Sequence, residues 1–250
     1  MSEIGIASIV FGCIFAAAIA GIWCRSRLPE HHLGSDSKDV VRIGMSLIAS
    51  MTALLLGLVI ASAKNGFDVQ DTAVRNLAAD IVTLDRTMAK YGPEAKQVRE
   101  QIRQAVEARL EATWPSDGAT SVPAGSAAPA ENIEGQILAL TPQNDAQRYL
   151  QSQALALTSD AMKTRWAAFA GAGNVVPTPF LVIVVFWLAV LFWSFGLFAP
   201  RNATVISVLL LCALSVAAGV FLILEMESPF TGVMKISSAP LRTALALLGQ

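Results

Sequence analysis

Four stretches without a single charged residue, 4–24, 43–63, 175–199 and 203–224, constrain this chain more than anything else in it. Each has the roughly twenty apolar residues a helix needs to cross about 30 Å of hydrocarbon. Backbone in lipid has no water to bond, so runs of this length predict helices that satisfy their own N–H and C=O groups. They come as two pairs around a polar stretch. The layout predicts an all-α membrane protein with four transmembrane helices. Residues 1–63 form the first pair, 64–172 a helical extramembrane domain, 173–224 the second pair and 225–250 an amphipathic C-terminal tail.

Composition agrees, with 54% hydrophobic and 15% charged residues where a soluble chain carries about 25% charge. Net charge is −1, and residues 64–172 hold 11 basic against 13 acidic side chains. No basic field for nucleic acid follows from that balance. Cys13, Cys24 and Cys212 sit in or beside apolar spans without metal-pair spacing and read as small packing residues. The first span follows Met1-Ser2-Glu3, lacks a basic leader and is long for a signal-peptide core, so it is expected to be retained.

Between spans one and two, the link 25–42 carries Pro29, His31, His32 and Gly34 and is expected to be a loop or a short re-entrant turn. Spans three and four are joined by Pro200-Arg201-Asn202, which predicts antiparallel neighbours. In the polar domain, Phe67, Val74, Leu77, Ile81, Leu84, Met88 and Tyr91 recur every three or four residues, a helix with one apolar stripe. Asn65-Gly66 reads as a brief interruption between span two and this helix. Gly92-Pro93 ends it and opens another, whose face is Val98, Ile102, Val106 and Leu110. Residues 115–131, rich in Pro, Gly, Ser and Ala, predict a flexible loop, and a further helix is expected from Thr141-Pro142. The tail lies along the membrane interface or docks on the helical domain.

Catalysis has little to work with. No catalytic residue is predicted, and no phosphate loop, nucleophile elbow or zinc-protease helix occurs. The adjacent pair His31-His32 cannot converge on one metal, so no metal and no cofactor are expected, nor an enzyme. Coupled pumps use ionisable relays inside the membrane, and these spans have none.

Span two is the candidate for function. Ser46, Ser50, Ala53, Gly57 and Ala61 form a narrow small-residue face that leads to Lys64. Such a face serves close helix packing, or it lines a pore in an oligomer with Lys64 as a ring of positive charge at one mouth. Met51, Leu54 and Leu58 are candidates for a hydrophobic constriction.

Several motifs together resemble the bacterial bestrophin-like family of multi-pass membrane proteins. They are residues 55–64, LLGLVIASAK; Ala78-Ala79-Asp80-Ile81; Leu84-Asp85-Arg86; Tyr91-Gly92-Pro93-Glu94; residues 225–232; and Pro240-Leu241-Arg242. The resemblance covers nearly the whole chain. More distantly the chain resembles the bestrophins, pentameric anion channels with four membrane helices, a helical domain between the second and third, and a pore lined by the second. Their aromatic neck and acidic calcium clasp have no counterpart motif here, so the resemblance implies an architecture and a channel but no calcium site. It implies a homo-oligomer, a pentamer, in the lipid bilayer of a bacterial inner membrane, passing small anions. The alternative is a non-conducting scaffold or sensor whose Phe67–Tyr91 stripe binds a partner protein. Orientation stays open: Arg25, Arg27, Lys38, Arg42 and Arg201 favour an outside domain, while the bestrophin resemblance implies a cytosolic one.

Overall fold

The computed structural model describes residues 2–29, 35–114, 128–171 and 178–249. Among these residues there is no strand. Eight α-helices follow in order: α1 (Glu3–Arg25), α2 (Ser35–Tyr91), α3 (Lys96–Thr113), α4 (Ala128–Ala139), α5 (Asp145–Gly171), α6 (Thr178–Phe198), α7 (Ala203–Glu227) and α8 (Ala239–Leu247). The chain divides into two compact units, Met1–Asn65 with Asn174–Glu227, and Gly66–Gly173 with Ser228–Gln250. The 57-residue helix α2 contributes to both.

In the first unit α1 is central and packs on α6 and α7. Its core holds Val10, Ile14, Ala18 and Ile22 of α1, Val184, Leu188 and Phe192 of α6, and Leu209, Ala213 and Val220 of α7. The closest approach is backbone to backbone. A Cβ on Gly21 would lie 2.0 Å from the Trp193 carbonyl oxygen, and one on Gly196 would lie 2.0 Å from that of Ala18. Only glycine lets two helices come this near. α1 and α6 end together, because Arg25 donates to the carbonyls of Phe198 and Ala199 while Arg201 donates back to Ile22 O at 3.4 Å. Each arginine thus satisfies terminal carbonyls of the other helix. Asn202 caps α7, accepting from Val205 N–H at 3.0 Å.

The second unit has its own apolar interior. Leu84, Met88 and Tyr91 of α2 meet Val98, Ile102 and Val106 of α3, Ile133 and Ile137 of α4, Ala154 of α5 and Leu248. A second cluster joins Val74 and Ala78 to Ile236, Leu241 and Ala244, with Trp114 and Phe230 alongside. The tail therefore belongs to the helical domain: Trp114 Nε1 donates to Ile236 O at 2.9 Å, and the Trp114 and Phe230 rings meet edge to face at 5.6 Å. A buried ion pair locks α2 to α3, with Arg99 Nε on Asp85 Oδ1 at 2.7 Å and Nη2 on Oδ2 at 2.9 Å.

Local expectations and structure differ in three helices, α2, α4 and α5. α2 runs without a break through Asn65-Gly66 and begins at Ser35, so the second half of the 25–42 link is helix. A single glycine inside a long helix costs only about 1 kcal/mol, which continuous flanking turns offset. The loop expected over 115–131 gives way at Ala128 to α4, an element the Ala- and Pro-rich composition concealed. Residues 115–127 lie outside the described residues. α5 starts at Asp145 rather than near Thr141, because Asn144 is its cap, accepting from Gln147 N–H at 2.8 Å. Between α2 and α3, Gly92 adopts φ +132°, and Pro93–Ala95 form one 3-10 turn before α3 proper. That backbone conformation is open chiefly to glycine.

Candidate pore-lining helix

α2 is the least covered of the four apolar helices: 11% of its apolar window is buried inside the chain, against 28–39% for the others. What it does bury forms one strip. Thr52, Val59 and Ala63 are buried, and Leu55 and Leu56 pack against the core of the first unit. At about 100° per residue, this strip points away from the middle of the exposed arc by roughly half a turn.

All six candidates of the small-residue face, Ser46, Ser50, Ala53, Gly57, Ala61 and Lys64, are exposed, and they fall within about 80° of the helix circumference. The constriction candidates Met51, Leu54 and Leu58 are exposed too, 47%, 78% and 63% respectively, centred roughly 90° round from the small face. Leu47 also joins the exposed arc, whereas Val59 lies on the packed strip. The arc thus has two edges, one of hydroxyls and small side chains and one of large aliphatic ones. Its hydroxyls are satisfied locally: Ser46 Oγ donates to Arg42 O at 2.8 Å and Ser50 Oγ to Ser46 O at 2.9 Å. Such back-bonding lets serine sit on an apolar helix, and a rotated hydroxyl is a ready donor toward a passing ligand. Nothing lies within 4 Å of a Cβ built on Gly57, so this position faces open space in the single chain.

Further along α2 the apolar stripe is used up internally. Val74, Ala78, Leu84, Met88 and Tyr91 are buried in the second unit, and Phe67, Leu77 and Ile81 pack against them. The surface that the scaffold reading offers to a partner is therefore interior. Asp80 and Asp160 face each other across α2 and α5. Burial first, and the Asp160 charge second, raise the Asp80 carboxyl above its ordinary value of 3.8. Among the described residues no three His, Cys, Asp or Glu side chains gather in a metal-binding group. His31 and His32 lie outside the described residues.

Sequence reasoning found the exposed face but missed Asp85, which reads as one more polar position until Arg99 is seen on the facing helix.

Four helices long and apolar enough to cross a membrane, two before and two after the polar helical segment in sequence, define a multi-pass α-helical membrane protein. Its sequence matches the family model of the bestrophin-like domain over residues 12–241, and the chain belongs to that family. No curated protein and no solved structure matches it.

Proposed function

We propose that this protein is a homo-oligomeric ion channel of the bacterial inner membrane, with α2 turned toward the axis and small anions passing along its Ser46–Lys64 side. The supporting observation is the bare arc of α2, where Ser46, Ser50, Ala53, Gly57, Ala61 and Lys64 are all exposed while the opposite strip packs into the helix bundle. Copies arranged around an axis cover that arc and place a ring of Lys64 ammonium groups at one mouth, which favours anions. Met51, Leu54 and Leu58, turned a quarter of the way round, form the apolar edge that narrows the path and gates it by dewetting. Five copies follow the bestrophin pattern. The protein is no enzyme in this reading and needs no cofactor.

The test is chloride flux from liposomes containing the purified full chain. Gly57→Leu is the informative variant, since its new side chain enters open space in the monomer. It is expected to leave folding intact and reduce flux at least tenfold. Absence of flux at every voltage, with folded protein in the bilayer, would refute the channel and leave the non-conducting scaffold.

A further inference from the structure

At one end of the first unit, the chain gathers cations beyond what its own hydrogen bonding needs. Arg25 caps the end of α6, and Arg201 caps the end of α1 through a single bond to Ile22 O at 3.4 Å. A guanidinium carries five N–H donors, and Arg201 is exposed. Among the described residues, the Arg27 side chain makes no hydrogen bond of this kind. It lies exposed over the Trp23 ring, 3.7 Å from its centroid, and Trp23 is itself 56% exposed.

An exposed tryptophan at the end of a membrane helix sits at headgroup level. A cation over its face is held there with its N–H edges free for an acceptor. The terminal carbonyls of α1 and α6 would repel an anion at this end, and Arg25 and Arg201 cover them. Chain connectivity brings Lys38 and Arg42 of α2 to the same side of the membrane. In sequence, the 25–42 link and Arg201 carry five basic residues (Arg25, Arg27, Lys38, Arg42, Arg201) against three acidic ones. The other end of the unit carries Glu3, Glu225 and Glu227 with Lys64.

We propose that this end is a binding surface for anionic phospholipid headgroups. Arg27, stacked on Trp23, and Arg201 hold the phosphate, and the Trp23 ring lies against the upper acyl chain. The ligand class is an anionic phospholipid in the adjoining leaflet, phosphatidylglycerol being the simplest.

The experiment is native mass spectrometry of the full chain in detergent, with equimolar phosphatidylglycerol and phosphatidylcholine. Each basic residue at the surface contributes a preference of roughly fivefold for the anionic lipid. The unsubstituted protein should therefore retain phosphatidylglycerol by at least that factor. Arg27→Gln with Arg201→Gln should lower the ratio at least fivefold, while Lys163→Gln, on α5 of the second unit, should leave it unchanged. Arg27→Gln alone decides the matter if the double variant aggregates, because Arg27 is exposed and stacks on the exposed Trp23 ring; it should lower the ratio several-fold. Excess inorganic phosphate should not displace the lipid, and displacement would mean a free-anion site instead. Equal retention of the two lipids by the unsubstituted protein, or an undiminished ratio in Arg27→Gln, overturns the proposal.

Discussion

Replacing Arg99 by Met should damage this protein more than replacing its partner Asp85 by Leu. The Asp85 side chain is 3% exposed and that of Arg99 23%. Asp85 accepts two bonds from the guanidinium, at 2.7 and 2.9 Å, and a third from Gly249 N–H at 3.3 Å. Its hydrogen bonds to the carboxylate raise the Arg99 pKa further despite partial burial. Without Arg99, a carboxylate remains in the interior with one long bond from a backbone amide. Stranding a buried charge costs about 3–5 kcal/mol. Without Asp85, the longer Arg99 stem swings its head to water, and the loss is about 1–3 kcal/mol. Replacing both by Met and Leu exchanges a desolvated pair for apolar contact beside Leu84 and Met88, and much of the loss returns.

Hydrogen exchange on the full chain in detergent reads this directly. At about 1.4 kcal/mol per tenfold, Arg99→Met should lower protection across α3 and residues 236–249 by about two to three and a half orders of magnitude. Asp85→Leu should lower it about one order, and the double variant should recover most of the difference. The reasoning fails if Asp85→Leu is the worse single change, or if the double variant is as exposed as Arg99→Met.

Other outcomes follow from the same contacts. Gly21→Ala forces a methyl into the Trp193 carbonyl, so the α1–α6 crossing must open; a loss of about 1–3 kcal/mol should appear as a lower thermal midpoint in detergent, whereas Gly12→Ala, with nothing within 4 Å, should leave it unchanged or raise it slightly. Asp80 has a raised carboxyl pKa, so its ionised form opposes folding. The folded state gains from protonating it below the ordinary value and loses that gain as pH rises through the raised one. Asp80→Asn should therefore raise the thermal midpoint at pH 7 and lose its advantage in acid, and an equal gain at both pH values would contradict the assignment. Among the described residues the buried Tyr91 hydroxyl has no hydrogen-bond partner, and burial, then the Glu94 charge, raise its pKa. Tyr91→Phe should thus be neutral or stabilising by about 1 kcal/mol, and a clear loss in the same melt would point to an unseen partner for the oxygen.

The membrane helices were legible because lipid leaves one solution for an uncharged run of twenty residues. The α2–α3 turn was legible because Gly92-Pro93 states both a positive φ and a helix start. α4 was not, since a sequence such as Ala128-Pro129-Ala130 has the composition of a linker, and its helix depends on packing Ile133 and Ile137 under α3 and α5. Nor was the Asp85–Arg99 pair, whose members are fourteen residues apart on different helices and meet only because Gly92 reverses the chain.

The small-residue face of α2 was legible as a pattern while its use was not, and the structure explains why. Small residues at helical spacing occur in this chain in two physical situations. In α1 and α6, Gly21 and Gly196 are consumed by a crossing so tight that a methyl would collide with backbone. In α2, a Cβ on Gly57 would meet nothing within 4 Å, and the residues aligned with it are exposed. The sequence pattern is the same in both, because periodicity records which residues share a face and not what covers it. Among α2's neighbours in lipid, acyl chains gain little from a serine-bearing groove, so a second protein surface or a file of water and ions is the better complement. This is why Gly57→Leu separates the cases: a lipid-facing position absorbs the added side chain without consequence, a helix-packing position loses the oligomer, and a pore-lining position keeps the oligomer and loses the flux.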